Sequence, residues 1–256
     1  MSSENRSLAR PVEWTHPDAV EFYAQHRNQV NDLYPSERVF LPRVLFSNAK
    51  VLDVGCACGG FFNIMRTLQP DLRYTGIDTS SQSVPIAQGR YPEASFCVGN
   101  ARSLPFPNDI FDVVHCTGVA VHVPEYNDVI LEAYRVSRRY VIMDMRLHEG
   151  AVSNPNKEES YQRLEFNGRD TGGRAHYIIA DPDEVVSFVL SLRPRIHRLS
   201  ATGYFHPVSP TAHAEYSEVC MTVFLMEKGN AATNKTVLDL KSLPVRVSVD
   251  AKTKPV

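Results

Sequence analysis

From Val51 onward, short apolar runs alternate with stretches of helical period, and this alternation constrains the fold more than any other feature of the chain. Such a pattern builds βαβ units around a mostly parallel sheet. Strands read near 51–55, 73–78, 95–99, 111–116, 138–145, 195–203 and 218–227, and helices near 60–68, 81–89, 126–136 and 182–192. Upstream, Asp18 to Gln29 carries Val20, Phe22 and Tyr23 on an apolar face, and Pro35-Ser36-Glu37 opens a second helix, Arg38 to Phe46. The chain therefore divides into an N-terminal helical cap (1–50), an α/β domain (51–229) and a C-terminal tail or edge extension (230–256). Within the α/β domain, the polar, Gly-containing segment 148–176 reads as a long loop, a lid-like insertion over the site.

The first of these units is the most specific. Val51-Leu52-Asp53-Val54 is an apolar strand with an acid near its end, Gly55-Cys56-Ala57-Cys58-Gly59-Gly60 is a small-residue loop, and Phe61 to Leu68 is a helix. Small side chains let a ligand approach the backbone, and the helix start offers N–H groups and a positive dipole end. Alone, Gly55-x-Ala57-x-x-Gly60 is a weak match to a dinucleotide fingerprint. The second strand ends in Asp78, followed by Thr79, and a carboxylate there accepts from both hydroxyls of a ribose. Asn100 and Ala101 follow the third strand with an amide and a backbone N–H suited to an adenine edge. The fourth strand, Phe111 to Cys116, runs out into small residues, Thr117 and Gly118.

Composition narrows the partners. A formal net charge of -2 with no block of like charge argues against nucleic acid and for small-molecule substrates. The N-terminal Met1 to Arg6 lacks the basic-then-apolar pattern of a signal peptide and no apolar run approaches a membrane span, so the chain reads as cytoplasmic with no membrane contact. Five cysteines, an odd number set mostly in apolar strands, read as reduced thiols, and no metal site is expected.

In this order and spacing the elements resemble the class I S-adenosylmethionine-dependent methyltransferases, most closely their small-molecule branch, of methyltransferase type 11 kind. The likeness covers roughly residues 35–145 and rests on the "D-x-G-C-x-x-G" loop and the "L-P-F…F-D-x-V" stretch. It implies a Rossmann-like, doubly wound, seven-stranded sheet with the last strand antiparallel. It implies S-adenosyl-L-methionine as cofactor, with Asp53, Gly55, Ala57 and Gly59 at its methionine end, Asp78 at the ribose and Asn100 with Ala101 at the adenine. Cys56, Thr79 and Thr117 join that set by position, and Tyr23 and Arg27, spaced i,i+4 in the cap, would close over it. Two positions depart from the family pattern: Ala57 stands where glycine is usual, tolerable if φ is not positive, and Asn100 stands where aspartate is frequent.

Methyl transfer from a sulfonium is an in-line displacement from a good leaving group, so proximity in a dry site is the main requirement. If the acceptor is a hydroxyl, His122 in Val121-His122-Val123 is the candidate base, with capping or packing as its plainer role. Asp144 and Arg146, at the end of the fifth strand, are candidates for binding a hydroxyl, amine or other nucleophile of a small polar acceptor, or for an internal ion pair. A homodimer is compatible with the sequence. Three rivals stand beside this reading. An NAD(P)-dependent reductase lacks a full G-x-G-x-x-G and any Tyr-x-x-x-Lys. A nucleic-acid methyltransferase would carry Asn/Asp-Pro-Pro-aromatic after the fourth strand, where this chain has Cys116-Thr117-Gly118-Val119. A catalytically silent scaffold binding the same cofactor would never yield the demethylated product.

Overall fold

The computed structural model describes residues 14–152, 156, 158–230, 232–233 and 235–248. The parts of the cap, insertion and tail that fall at 1–13, 153–155, 157, 231, 234 and 249–256 lie outside the described residues. Two helices come first, α1 (Pro17–Gln25) and α2 (Pro35–Val44), each with proline in its first turn, where the missing N–H costs nothing. There follow β1 (Lys50–Val54), α3 (Gly60–Leu68), β2 (Arg73–Asp78), α4 (Ser83–Arg90), β3 (Ser95–Val98), β4 (Phe111–Cys116), α5 (Tyr126–Val136) and β5 (Ser137–Leu147). A hairpin of β6 (Tyr161–Phe166) and β7 (Arg169–His176) precedes α6 (Pro182–Ser191), β8 (Ile196–Pro207), the two-residue β9 (Ala212–His213), β10 (Glu218–Lys228) and β11 (Val237–Ser242).

The main sheet has the order β11-β8-β10-β5-β4-β1-β2-β3, parallel throughout except that β10 runs antiparallel to both of its neighbours. Strands β4 and β1 are buried along almost their whole length because helices cover both faces. One face carries α2, α3 and α4, with Phe40, Leu41, Ile64, Met65 and Ala87 against Val51, Val113 and Ile142. On the other, Ile130, Tyr134, Val185 and Val189 of α5 and α6 pack on Leu52, Val114 and Met143. Each such fully buried large side chain contributes roughly 1.5–3 kcal/mol of transfer free energy. Chain order reverses between β1 and β4, and the crevice at the carboxyl ends there is where open α/β sheets take ligands.

Eight strands occur where seven were expected. The eighth is β11, paired parallel to β8, and Leu243 and Val245 beyond it join the core under α6. Without it, β8 would present a row of unpaired N–H and C=O groups.

Segment 148–176 also differs from its expectation as a loop. Its second half is the β6–β7 hairpin, turned by Asn167 at φ 52° and Gly168 at φ 73° and extended by β9. Positive φ at both central residues is the turn geometry that Asn-Gly favours and that matches strand twist. The hairpin docks on α1: Leu164, Phe166 and Ala175 pack with Trp14, Ala19, Phe22 and Tyr23 in a cluster separate from the two main cores.

Candidate functional site

The loop after β1 is held by backbone bonds to the neighbouring strand: the N–H groups of Gly55 and Cys56 both donate to the carbonyl of Ile77. Gly55 has φ 81°, and a Cβ there would lie 2.4 Å from Cγ2 of Val119, so the loop and the β4 exit touch through a position only glycine fits. Ala57 sits at φ 44°, in the left-handed region, so the condition under which its methyl is free of strain is not met. Its N–H donates to Oδ2 of Asp78 at 2.9 Å, and that bond fixes the conformation. Gly59 is the left-handed N-cap of α3, close against Tyr91 and Phe96.

Asp78 ends β2 half-buried, with Oδ1 accepting from the Ser80 N–H at 2.8 Å. Burial raises its pKa, opposed by the backbone N–H donors of Ser80 and Ala57. Each carboxylate oxygen still has a second lone pair for a ligand. Thr79 beside it is exposed, as is Asn100, whose Oδ1 accepts from the Arg102 N–H and whose backbone bridges Ser103. Ala101 follows at half burial. In sheet order, Thr117 and Gly118, the 55–59 loop, Asp78 and Asn100-Ala101 top β4, β1, β2 and β3, a row about 14 Å long at ~4.8 Å per strand.

Asp53 does not reach this row. It is 1% exposed, accepts from the Tyr74 hydroxyl through Oδ2, and through Oδ1 holds Nδ1–H of His115 at 2.7 Å. With the Nδ1–H turned to Asp53, Nε2 of His115 faces the Thr117 hydroxyl at 3.1 Å. Sequence reasoning missed Tyr74 and His115. The register gives the reason they meet: Asp53 pairs with Gly76 on one side and His115 on the other, so the side chains of Asp53 and His115 share a face.

Helix α1 ends at Gln25, not near Gln29. The His26 N–H caps the Phe22 carbonyl, and Arg27 turns left-handed at φ 58°, so Tyr23 and Arg27 are not successive positions on one helical face. The loop that results crosses the start of α3, with the Arg27 carbonyl 2.4 Å from where a Cβ on Gly60 would be. The Arg27 guanidinium is bound within the cap: it pairs with the buried Glu37 at 2.6 Å, donates to the Asp32 carbonyl and stacks on Tyr34 at 4.2 Å. Burial, reinforced by Tyr34, pushes the Tyr23 hydroxyl up to about 12.

On the other side of the row, Asp144 accepts from the Gly118 N–H at 2.8 Å, and burial raises its carboxyl to about 6. Arg146 is 7% exposed, donates to the Val121 carbonyl at 2.8 Å and lies 3.9 Å over the Tyr177 ring. The two are not within salt-bridge distance, so the internal ion pair is not formed. His122 ends a 3-10 turn, Ala120–His122, and gives its Nδ1 proton to the His176 carbonyl at 2.7 Å. Burial, with Arg146 nearby, holds its pKa down to about 3, and Trp14 packs on it with ring centroids 5.2 Å apart. An imidazole so placed is a weak base.

Burial raises the thiols of Cys56 and Cys58, away from thiolate chemistry. Among the described residues no group of His, Cys, Asp and Glu is placed to hold a metal. No helix among them is long and apolar enough to cross a membrane.

The doubly wound sheet, with its switch point between β1 and β4, defines a Rossmann-like α/β protein of class I topology. Residues 45–183 match the family model described as a methyltransferase domain, and the chain belongs to that family. It is 32% identical over 90 residues to demethylmenaquinone methyltransferase of Thermotoga maritima, 35% of this chain and 39% of that protein. It is 35% identical over 92 residues to fatty-acid O-methyltransferase of Mycolicibacterium smegmatis, 35% of this chain and 33% of that protein. The similarity thus spans 39% of the one relative and 33% of the other. A crystal structure of a SAM-dependent methyltransferase from Methanosarcina mazei shares the fold at TM-score 0.53 and 21% identity, covering 77% of this chain and 98% of that one.

Proposed function

We propose that this chain transfers the methyl group of S-adenosylmethionine to a nucleophilic atom of a small acceptor. The observation that carries the reading is the row of strand ends over β4, β1, β2 and β3, with an open glycine, a small-residue loop, a carboxylate and an amide in the order an adenosyl amino acid needs. The residues fit that group. Gly118, at φ 75°, has no atom within 4 Å of where its Cβ would be, so space is open at the β4 end. Asp78, already held by two N–H groups, keeps lone pairs for ribose hydroxyls. Asn100 and Ala101 take the adenine edge, Gly55, Cys56, Ala57, Gly59 and Thr117 flank the methionine end, and Thr79 lies beside the ribose.

When bound, the cofactor supplies a methyl group on a positively charged sulfur, a good leaving group. The chain's part is to place the acceptor in line and keep water out. Asp53 acts at one remove, orienting His115 and through it the Thr117 hydroxyl. Tyr23 and Arg27 close the cap side, where Arg27 braces the 27–28 loop across α3 through Glu37. We assign α1 and α2 as the cap and the β6–β7 hairpin as the lid. Asp144 and Arg146, with Tyr177 beside them and Trp14 across His122, form the acceptor side, whose mixture of charge and aromatic surface suits an amphipathic acceptor.

Isothermal calorimetry with S-adenosylhomocysteine tests the site. The wild-type chain binds, whereas Asp78→Ala loses at least 100-fold in affinity with its circular dichroism unchanged. Unaltered affinity in that variant overturns the assignment.

A further inference from the structure

Among the described residues Arg146 is the one lysine or arginine that is buried. Half-buried Arg27, Arg135 and Lys228 meet Glu37, Glu132 and Asp109, each at 2.6 Å. Arg146, more enclosed than Arg27 or Arg135, has no carboxylate within 4 Å among the described residues, and only one of its five N–H groups has a partner, the Val121 carbonyl. The face of Tyr177 and, from beyond 4 Å, the Asp144 carboxylate offset part of the cost of its burial. A buried guanidinium with no carboxylate in hydrogen-bond reach keeps N–H groups that a ligand's anion can take up.

The position of Arg146 says which ligand. On β5 it shares a face with Asp144, whose own partner is the Gly118 N–H at the open end of β4. Two residues of strand place Arg146 about 7 Å farther along β5, toward its carboxyl end. It therefore stands beyond the methyl-transfer position on the acceptor side, between the 120–122 turn and Tyr177 at the base of the hairpin. We propose that Arg146 is the anion-binding residue of the acceptor site and that the acceptor carries a carboxylate. The planar guanidinium fork matches a carboxylate in two parallel bonds.

This inference rests on the methyltransferase reading, and the experiment separates the two. S-adenosylhomocysteine affinity is measured first, for the wild-type chain, Arg146→Gln and Arg146→Lys, and is expected to agree within twofold across the three. Failure of the wild type to bind it sinks the methyltransferase reading. Octanoate with octanamide, and benzoate with benzamide, are then titrated calorimetrically into each protein with and without S-adenosylhomocysteine. At least one acid binds the wild type tenfold or more tightly than its amide, Arg146→Gln abolishes that preference, and Arg146→Lys, which keeps charge without the fork, retains part of it. Equal binding of acid and amide by the wild type, or a preference that survives in Arg146→Gln, overturns the proposal. If Arg146→Gln does not fold, loss of preference in Arg146→Lys supports it and an undiminished preference overturns it.

Discussion

Ala57 shows how one methyl group can matter without touching a ligand. An L-residue in the left-handed region pays about 1 kcal/mol that glycine avoids, and the Asp78 bond to its N–H holds it there. Ala57→Gly is expected to raise stability by about 0.5–1 kcal/mol in urea unfolding, with cofactor affinity unchanged within threefold. The sequence marked Ala57 as a departure but could not supply its φ, because that angle is set by Asp78, 21 residues away. Asp53 is the complementary case. The acid was visible in the loop motif, yet its partners Tyr74 and His115 come from two other strands and become neighbours only once the register is known. Asp78, Asn100 and Ala101 stand where the sequence put them, at or just past the ends of β2 and β3, because position in the chain follows directly from where each strand ends.

At the level of elements, hydrophobic period found every strand and helix of the α/β alternation, since burial on two faces leaves a strong pattern. It failed where one face is exposed. The β6–β7 hairpin alternates weakly, and its one clear signal was Asn167-Gly168. Gly168→Ala, at φ 73°, is expected to cost about 1 kcal/mol, read by thermal melting, and to loosen the hairpin against α1. The end of α1 was misplaced for a different reason: the left-handed turn at Arg27 is imposed by tertiary partners, chiefly Glu37 and the Asp32 carboxylate that accepts from Asn28 and Gln29. Glu37 is buried and serves both Arg27 and the Tyr34 N–H. Glu37→Ala should therefore cost about 3 kcal/mol in chemical denaturation, because it strands a guanidinium inside the cap.

For the molecule as a whole, two buried groups oppose each other in acid. The Asp144 carboxyl lies at about 6 in the folded protein, above the ~3.9 of an unfolded chain, so its contribution is most favourable below about pH 4 and declines as pH rises through 6. His122 lies at about 3, below the unfolded ~6.5, so its contribution is complete above about pH 6.5 and declines as pH falls. Between pH 4 and 6 the slopes are opposite and each near 1.4 kcal/mol per unit, so they nearly cancel. Asp144→Asn removes one of them. The variant is expected to lose stability relative to wild type by about 2 kcal/mol on going from pH 6 to pH 4, measured by urea titration at each pH. A parallel pair of curves would show that the Asp144 carboxyl does not titrate in this window.

Trp14 is the sole tryptophan of the chain, and its ring lies 5.2 Å from His122, 6.3 Å from Tyr23 and 6.4 Å from Phe166. Its indole therefore sits on the seam where the cap, the turn after β4 and the hairpin meet, in a cluster set apart from both main cores. Small satellite clusters open at lower free energy than the cores they flank. Emission from that single indole is thus a built-in, label-free gauge of whether the seam is shut, and in a urea titration its midpoint should fall below that of far-ultraviolet ellipticity.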